Sequence, residues 1–252
     1  MITFCTTFAK RIWDSKGQTV IESVRKHYPE IEFFGYHENS VEDDKVDFSN
    51  TWENFIPIDL FNVDTTLSNF LNESDFSKSL SMVGDDALNY YNRSAYYWFR
   101  KVAAVNDAVD RCETPLLIFL DTDTEVLKRL TPQILEYLMN LDFATIKRRK
   151  GCTDICNYQG SGVVDSGIMS FNLEKGGREI GKYWYDYYKN GGAFKEIIWA
   201  DHYILTSVIK HLQDRYQIGG LDAEWGAPFR HINDYIAHHR GAQYLDRDYK
   251  ND

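Results

Sequence analysis

Apolar and polar positions along the first sixty residues set out a strand, a helix and a second strand. ITFCTTFA (residues 2–9) is an apolar run that predicts a first strand running into a polar turn. Val20, Ile21, Val24 and Tyr28 then recur at helical spacing, and Pro29 closes the pattern. IEFFGYHE (31–38) returns to strand character. This order predicts a parallel sheet with crossover helices, because parallel neighbours need a long connection between them. Residues 39–54 are acidic and polar and predict a loop, FIPIDL (55–60) predicts a short strand, and 62–92 mixes helix and turn signals without a dominant period.

From Ser94 the pattern sharpens. Trp98, Val102, Val105 and Val109 recur at steps of three and four, so 94–112 predicts an amphipathic helix. Pro115 ends the connection, and LLIFL (116–120) predicts a buried strand. Thr131-Pro132 is an N-cap and first-turn pair for a helix reaching about Asn140, and FATIKR (143–148) predicts another strand. GVVDSGIMSFNL (162–173) reads as two short apolar pieces around a central Asp-Ser-Gly, with Asp165 ahead of a tight turn. Helices are expected through the tyrosine-rich 178–189 and, after Gly191-Gly192, from Trp199 to Leu212. The tail holds a strand-like YQIGGL (216–221), then a loop-rich DAEWGAPFRHINDYIAHHRGAQ (222–243). No repeat, linker or low-complexity segment divides the pattern, so a single α/β domain over 1–252 is expected.

Composition narrows the ligands. With 28 basic against 38 acidic residues the formal charge is −10, which argues against a general binder of nucleic acid or of anionic membranes. An anionic ligand would need a local positive device. Cys5, Cys112, Cys152 and Cys156 lack the spacing of a zinc site and read as reduced thiols. No stretch reaches the ~18 apolar residues of a membrane span, and the apolar run in MITFCTTFAKRIW is too short for a signal peptide. A soluble, cytoplasmic protein is expected. Aromatic residues make up 15% of the chain, and Trp199 and Trp225 read either as sugar-stacking platforms or as core.

The chemistry concentrates in LLIFLDTDTEV (116–126), where a buried strand runs straight into Asp121 and Asp123. Side chains two apart on an extended segment point the same way, so the two carboxylates can converge. They stand at the carboxyl end of a strand, where open α/β sheets bind ligands. Two carboxylates there attract a hard divalent cation, Mg²⁺ or Mn²⁺, which could bridge to phosphate oxygens. The alternative is a strand ending in a solvated turn with both aspartates in water.

An apolar strand, Asp-x-Asp and a preceding helix carrying Arg100-Lys101 resemble the nucleotide-sugar glycosyltransferases of the GT-A fold. The resemblance continues in order along the chain. TTFAKRIWDSKGQTVIESVRKHYPEIEFFGYHE (6–38) looks like the family's nucleotide-binding strand, loop, helix and second strand, and DSGIMSFNL (165–173) like its acceptor-side strand. WADHYIL (199–205) resembles a Trp-x-Asp helix start. His238-His239-Arg240-Gly241 resembles the His-x-x-Gly segment that completes the metal site in glycogenin-like (family eight) and related viral or phage transferases. One departure is visible: the family's lysine three residues past that glycine is absent, the chain reading Ala242, Gln243 and Tyr244.

The resemblance implies a Rossmann-like, mixed but mostly parallel central sheet flanked by helices, with residues 1–125 as nucleotide-binding half and 126–252 as acceptor-binding half. It implies Mn²⁺ or Mg²⁺ held by Asp121, Asp123 and His238, with His239 as the rival histidine. Donor contacts would come from Thr6, Thr7, Phe8, Lys101, Asp121, Thr122, Arg240 and Gly241. Asp201 and Asp165 would handle donor sugar or acceptor, or else serve as helix and turn caps. Asp222 and Glu224 are further candidates for a base. Lys147-Arg148-Arg149-Lys150 could steer an anionic donor or form a solvated strand end. The implied partners are a nucleotide-sugar donor, UDP-sugar favoured and GDP-sugar possible, and a glycan or other hydroxyl acceptor.

Three other readings compete. A haloacid-dehalogenase-like phosphatase also ends a strand in Asp-x-Asp, but Glu125 stands where that pattern wants a small or β-branched residue, and Gly84-Asp85-Asp86 precedes the strand instead of following it. A sugar nucleotidyltransferase would carry a glycine cluster after the first strand, which CTTFAKRIW lacks. A non-catalytic glycan-binding module leaves the two strand-end aspartates unexplained.

Overall fold

The computed structural model describes residues 1–67, 95–147, 164–196 and 199–239. Its centre is a seven-stranded sheet built from β1 (Ile2–Thr7), β2 (Phe33–His37), β3 (Phe55–Asp59), β4 (Leu116–Leu120), β6 (Phe143–Lys147), β7 (Val164–Asn172) and β8 (Ile218–Gly220). The strand order is β3-β2-β1-β4-β7-β6-β8. Neighbours are parallel except at β7, which runs antiparallel to both β4 and β6. The parallel pairing of β1, β2, β3 and β4 is the one expected from the strand–helix–strand opening, and the mixed, mostly parallel whole is the one the GT-A resemblance implies.

Helices cover both faces. On one side α2 (Ala95–Arg111), α4 (Gly177–Lys189) and α5 (Asp201–Leu212) bury Val102, Val105, Val109, Trp184, Tyr188 and Val208 against Cys5, Phe119 and Phe171 of the sheet. On the other, α1 (Gln18–His27) and α3 (Pro132–Asn140) bury Val20, Val24, Ile134 and Leu138 against Phe4, Ile118 and Leu120. Because β4 has helices on both faces, all five residues of LLIFL are buried, as a continuous apolar run requires. Thr131 caps α3 by accepting a hydrogen bond from Ile134 N, with Pro132 in the first turn, which is the role the Thr-Pro pair predicted. Among the described residues, no helix is long and apolar enough to cross a membrane.

Three local differences from the sequence reading bear on the site. The polar turn expected after β1 is helical: a turn at Lys10–Ile12 and a π-helical turn at Trp13–Gly17 lead directly into α1. Asp-Ser-Gly does not break its segment into two pieces, since β7 runs continuously from Val164 to Asn172. The interruption is instead a bulge against β6: Thr145 faces Met169 and Lys147 faces Val164, so two steps on β6 match five on β7. Bulges of this kind bend the strand and re-aim side chains. Finally, the stretch expected to be loop contains β9 (Ile236–His238), which pairs antiparallel with β5 (Thr124–Val126) as a separate two-stranded ribbon. Those three residues were too few to show a period of their own.

Candidate metal and donor site

The site grows from the end of β4. Asp121 N donates to Gly167 O at 2.8 Å, and Asp121 O accepts from both Thr124 N (3.0 Å) and Thr124 Oγ1 (2.7 Å). Asp121 to Thr124 is therefore a tight turn, not the extended segment the sequence suggested. The two carboxylates converge through that turn instead of through strand alternation. β5 follows at once, and its pairing sets Thr124 opposite His238, while His239 N donates to Asp123 O at 2.7 Å. A residue far downstream is thereby held beside Asp123 by backbone hydrogen bonds.

His238 Nε2 lies 3.1 Å from Asp123 Oδ1. Asp121, Asp123 and His238 each offer one donor atom, and the three atoms lie within 4.8 Å of one another. The imidazole is nearly buried and sits where Gly167 has no side chain: a Cβ there would stand 2.2 Å from His238 Cε1 and 2.7 Å from each ring nitrogen. His238 Nδ1 is buried without a hydrogen-bond partner, with Asp165 Oδ1 at 3.7 Å. His239 is different. Its ring is half exposed and pairs with Glu125 Oε2 at 3.0 Å, and it does not belong to the converging group of Asp121, Asp123 and His238.

Behind the carboxylates lies a buried ion cluster. Lys101, on α2, places Nζ 2.7 Å from Asp121 Oδ1, 2.9 Å from Asp121 Oδ2 and 2.5 Å from Asp201 Oδ2. Ser166 Oγ donates to Asp201 Oδ2 at 2.6 Å, and His202 N donates to Asp201 Oδ1 at 2.8 Å. Burial penalises the Lys101 ammonium, but Asp121 and Asp201 outweigh it and hold the pKa above the ordinary lysine value. Burial likewise pushes Asp201 up, yet Lys101 and the His202 contacts hold its carboxyl well below the usual range. Asp121 goes the other way: burial raises it, Lys101 pulls it back, Asp123 raises it again, and it settles at about 6. For His238, burial disfavours the cation, but the Asp123 hydrogen bond and the charges of Asp165, Asp121 and Asp123 raise its pKa overall.

The remaining candidates divide. Thr6 and Thr7 belong to β1 itself and do not follow it, and Thr6 is fully buried. The Phe8 ring is core, packed on Trp13 at 4.9 Å and Phe48 at 6.1 Å between centroids, so it cannot stack on a base as placed. Thr122 is half-buried within the aspartate turn. Lys101 lies inside the protein with its ammonium enclosed by carboxylates, so it acts on the site from behind. Asp201 is the first residue of α5, but the N-cap position is Ala200, so its carboxylate is no cap. Asp222 does cap, accepting from Trp225 N, and Trp199 is core while Trp225 is partly exposed. Arg240, Gly241, the basic residues 148–150, Gly84-Asp85-Asp86, Cys152 and Cys156 fall outside the described residues. The sequence reading missed the roles of Gly167, Ser166 and His202. A glycine inside a strand signals close approach of another group, which was the available clue for Gly167.

No protein-family model matches the sequence, and no curated protein does. Solved structures do. Mouse xyloside xylosyltransferase 1, in its apo form, superposes with a TM-score of 0.55 over 89% of this chain and 87% of that one, at 12% identity. The fold is of the GT-A type. The glycosyltransferase GlyE of Streptococcus pneumoniae TIGR4 gives a TM-score of 0.49 at 13% identity, over 89% of this chain and 46% of GlyE. An active-site mutant of LgtC gives 0.46 at 14% identity, over 88% and 73%. At 12% identity the likeness to the xylosyltransferase shows the architecture alone, since one fold carries many chemistries.

Proposed function

We propose that the protein is a metal-dependent glycosyltransferase that moves a sugar from a nucleoside-diphosphate sugar, UDP-linked before GDP-linked, to a hydroxyl of a glycan or similar acceptor. The observation that carries this is the convergence of Asp121, Asp123 and His238 at the carboxyl edge of a GT-A-type sheet. Two carboxylates and an imidazole nitrogen suit Mn²⁺, and less well Mg²⁺, which prefers oxygen throughout. When bound, such a cation would supply positive charge where the diphosphate leaves.

The chain's own residues have distinct tasks in this reading. Asp123 and His238 face the ligand space, while Asp121 shares its carboxylate with Lys101. Asp201 is too acidic to take a proton from an acceptor near neutrality, since an effective base has a pKa near the working pH. The residue is 1% exposed and its carboxylate is held by Lys101, Ser166 and His202, so in this reading it fixes the ammonium that balances Asp121 from behind the site. Thr7, at the carboxyl edge of β1, would contribute to the donor site, and the family resemblance adds Arg240 and Gly241 to the residues to be tested. Residues 1–125 form the donor half of one domain and 126–252 the acceptor half. The protein acts in the cytoplasm, where the free thiols of Cys5 and Cys112 stay reduced.

Thermal or chemical unfolding with nucleoside diphosphates tests this directly. At a hundredfold excess over the dissociation constant, the cognate nucleotide should add ~2.7 kcal/mol of stability, and only with Mn²⁺ or Mg²⁺ present. Equal stabilisation in excess chelator refutes the metal. A panel of nucleotide sugars screened for hydrolysis or transfer identifies the donor, and loss of turnover in Asp123→Ala with the fold intact ties it to this site.

A further inference from the structure

Asp165 looks at first like a carboxylate in search of a substrate, yet it is only 1% exposed. Its Oδ1 accepts a hydrogen bond from Gly167 N at 2.8 Å, which fixes the side chain back across the β7 bulge. The same oxygen stands 3.7 Å from His238 Nδ1, on the ring edge opposite the one that faces Asp123. That Nδ1 is buried and has no hydrogen-bond partner. Gly167, next but one, supplies the empty space in which the ring lies. Three features of the Asp-Ser-Gly segment thus act on one imidazole: an anion at one edge, a bare backbone beneath it, and the bulge that presents both.

We propose that Asp165 is a positioning residue for His238, receiving Nδ1–H so that Nε2 would turn its lone pair to a cation shared with Asp123. A histidine that binds a metal through one nitrogen is held by a carboxylate or carbonyl on the other, which fixes both tautomer and ring plane. The separation of 3.7 Å exceeds a hydrogen bond. A ring movement of roughly 0.7 Å closes it to the ordinary range, and a cation drawing on Nε2 would favour that tautomer. A role for Asp165 as general base fails on access, because no acceptor hydroxyl reaches a carboxylate sealed behind His238 and Gly167. This inference rests on the metal-dependent reading above, and its test separates the two.

Mn²⁺ affinity, measured by titration calorimetry with the metal alone, should fall about 10- to 100-fold in Asp165→Ala. Asp165→Asn, which keeps a neutral oxygen for Nδ1–H, should recover part of the loss. In a His238→Ala background, Asp165→Ala should change the affinity less than twofold, because the residue acts through the ring. A second readout needs no metal: the nuclear Overhauser contact between His238 Hε1 and the Gly167 α-protons should persist in wild type and Asp165→Asn and disappear in Asp165→Ala. Wild-type affinity in Asp165→Ala, or an unchanged ring contact, overturns the proposal. If the wild type takes up no Mn²⁺ at all, the functional reading falls, and the ring contact alone decides whether Asp165 positions His238.

Discussion

Gly167→Ala is the most revealing single substitution, because it adds one methyl group to a strand and reaches the proposed metal site only through a clash. The new Cβ would stand 2.2 Å from His238 Cε1. Ordinary carbon contacts begin near ~3.5 Å, so the ring must retreat by more than about 1 Å. That displacement carries Nε2 away from its 3.1 Å approach to Asp123. Disturbing the support of a metal ligand by such a distance costs about 10- to 100-fold in affinity, or ~1.4–2.8 kcal/mol. The backbone itself offers no objection: the positive-φ glycines among the described residues are Gly191 and Gly226. Replacing glycine by alanine at a compatible position stabilises by ~0.4–1 kcal/mol through the unfolded chain, which offsets part of the packing disturbance. Metal-free melting should therefore move little while Mn²⁺ binding, read by calorimetry, collapses. A double-mutant cycle sharpens the test, since in His238→Ala the clash has no partner and Gly167→Ala should be silent. Wild-type Mn²⁺ affinity in Gly167→Ala, or an equal loss in the His238→Ala background, refutes the reasoning.

Lys101→Met should destabilise the metal-free protein by ~3–5 kcal/mol in urea unfolding, because it strands Asp201 and Asp121 without their buried cation; a loss below ~1 kcal/mol would show that water reaches the pair. His239→Ala removes only a half-exposed pair with Glu125, so stability should change by less than ~1 kcal/mol and Mn²⁺ affinity not at all; a tenfold weaker affinity would transfer the ligand role to His239. Asp201 has a depressed folded pKa, so its contribution is complete above its unfolded value of ~3.9 and is lost as pH falls towards the folded one. The stability gap between wild type and Asp201→Asn should accordingly hold at neutral pH and narrow in acid, and a gap constant down to strongly acidic pH would contradict the ion pair.

The sheet was legible in the sequence because burial on both faces leaves continuous apolar runs such as LLIFL, and because helical spacing at Val20–Tyr28 and Trp98–Val109 is undisturbed by special chemistry. The site was legible in residue type and less so in geometry. Asp121 and Asp123 do converge, but through a turn stapled by Thr124, which the alternation rule does not contain. Asp-Ser-Gly reads as a turn because its residues favour turns, yet pairing with β4 on the other side keeps it in the sheet as a bulge. β9 was invisible because a three-residue strand takes its conformation from its partner. Lys101 read as a surface phosphate ligand since nothing in the sequence of α2 tells which lysine turns inward.

Among the described residues, the arrangement also gives a physical reason for a cation at this edge if the ligand is anionic. Asp121, Asp165 and Asp201 crowd behind the ligand space, and Lys101, the lysine that reaches them among the described residues, is already engaged by Asp121, Asp201 and Ser166. Its charge cancels carboxylates and has little left to offer a diphosphate. His238, with Asp123 at one ring edge and Asp165 at the other, is similarly committed. A diphosphate approaching this edge therefore meets an excess of negative charge, which repels it in the low-dielectric setting of a strand end. A divalent cation reverses that sign locally while using the very carboxylates that cause the problem. The two aspartates at the end of LLIFL are costly only as long as nothing positive stands before them: Lys101 compensates one from behind, and a cation held by Asp123 and His238, as proposed above, would compensate the other.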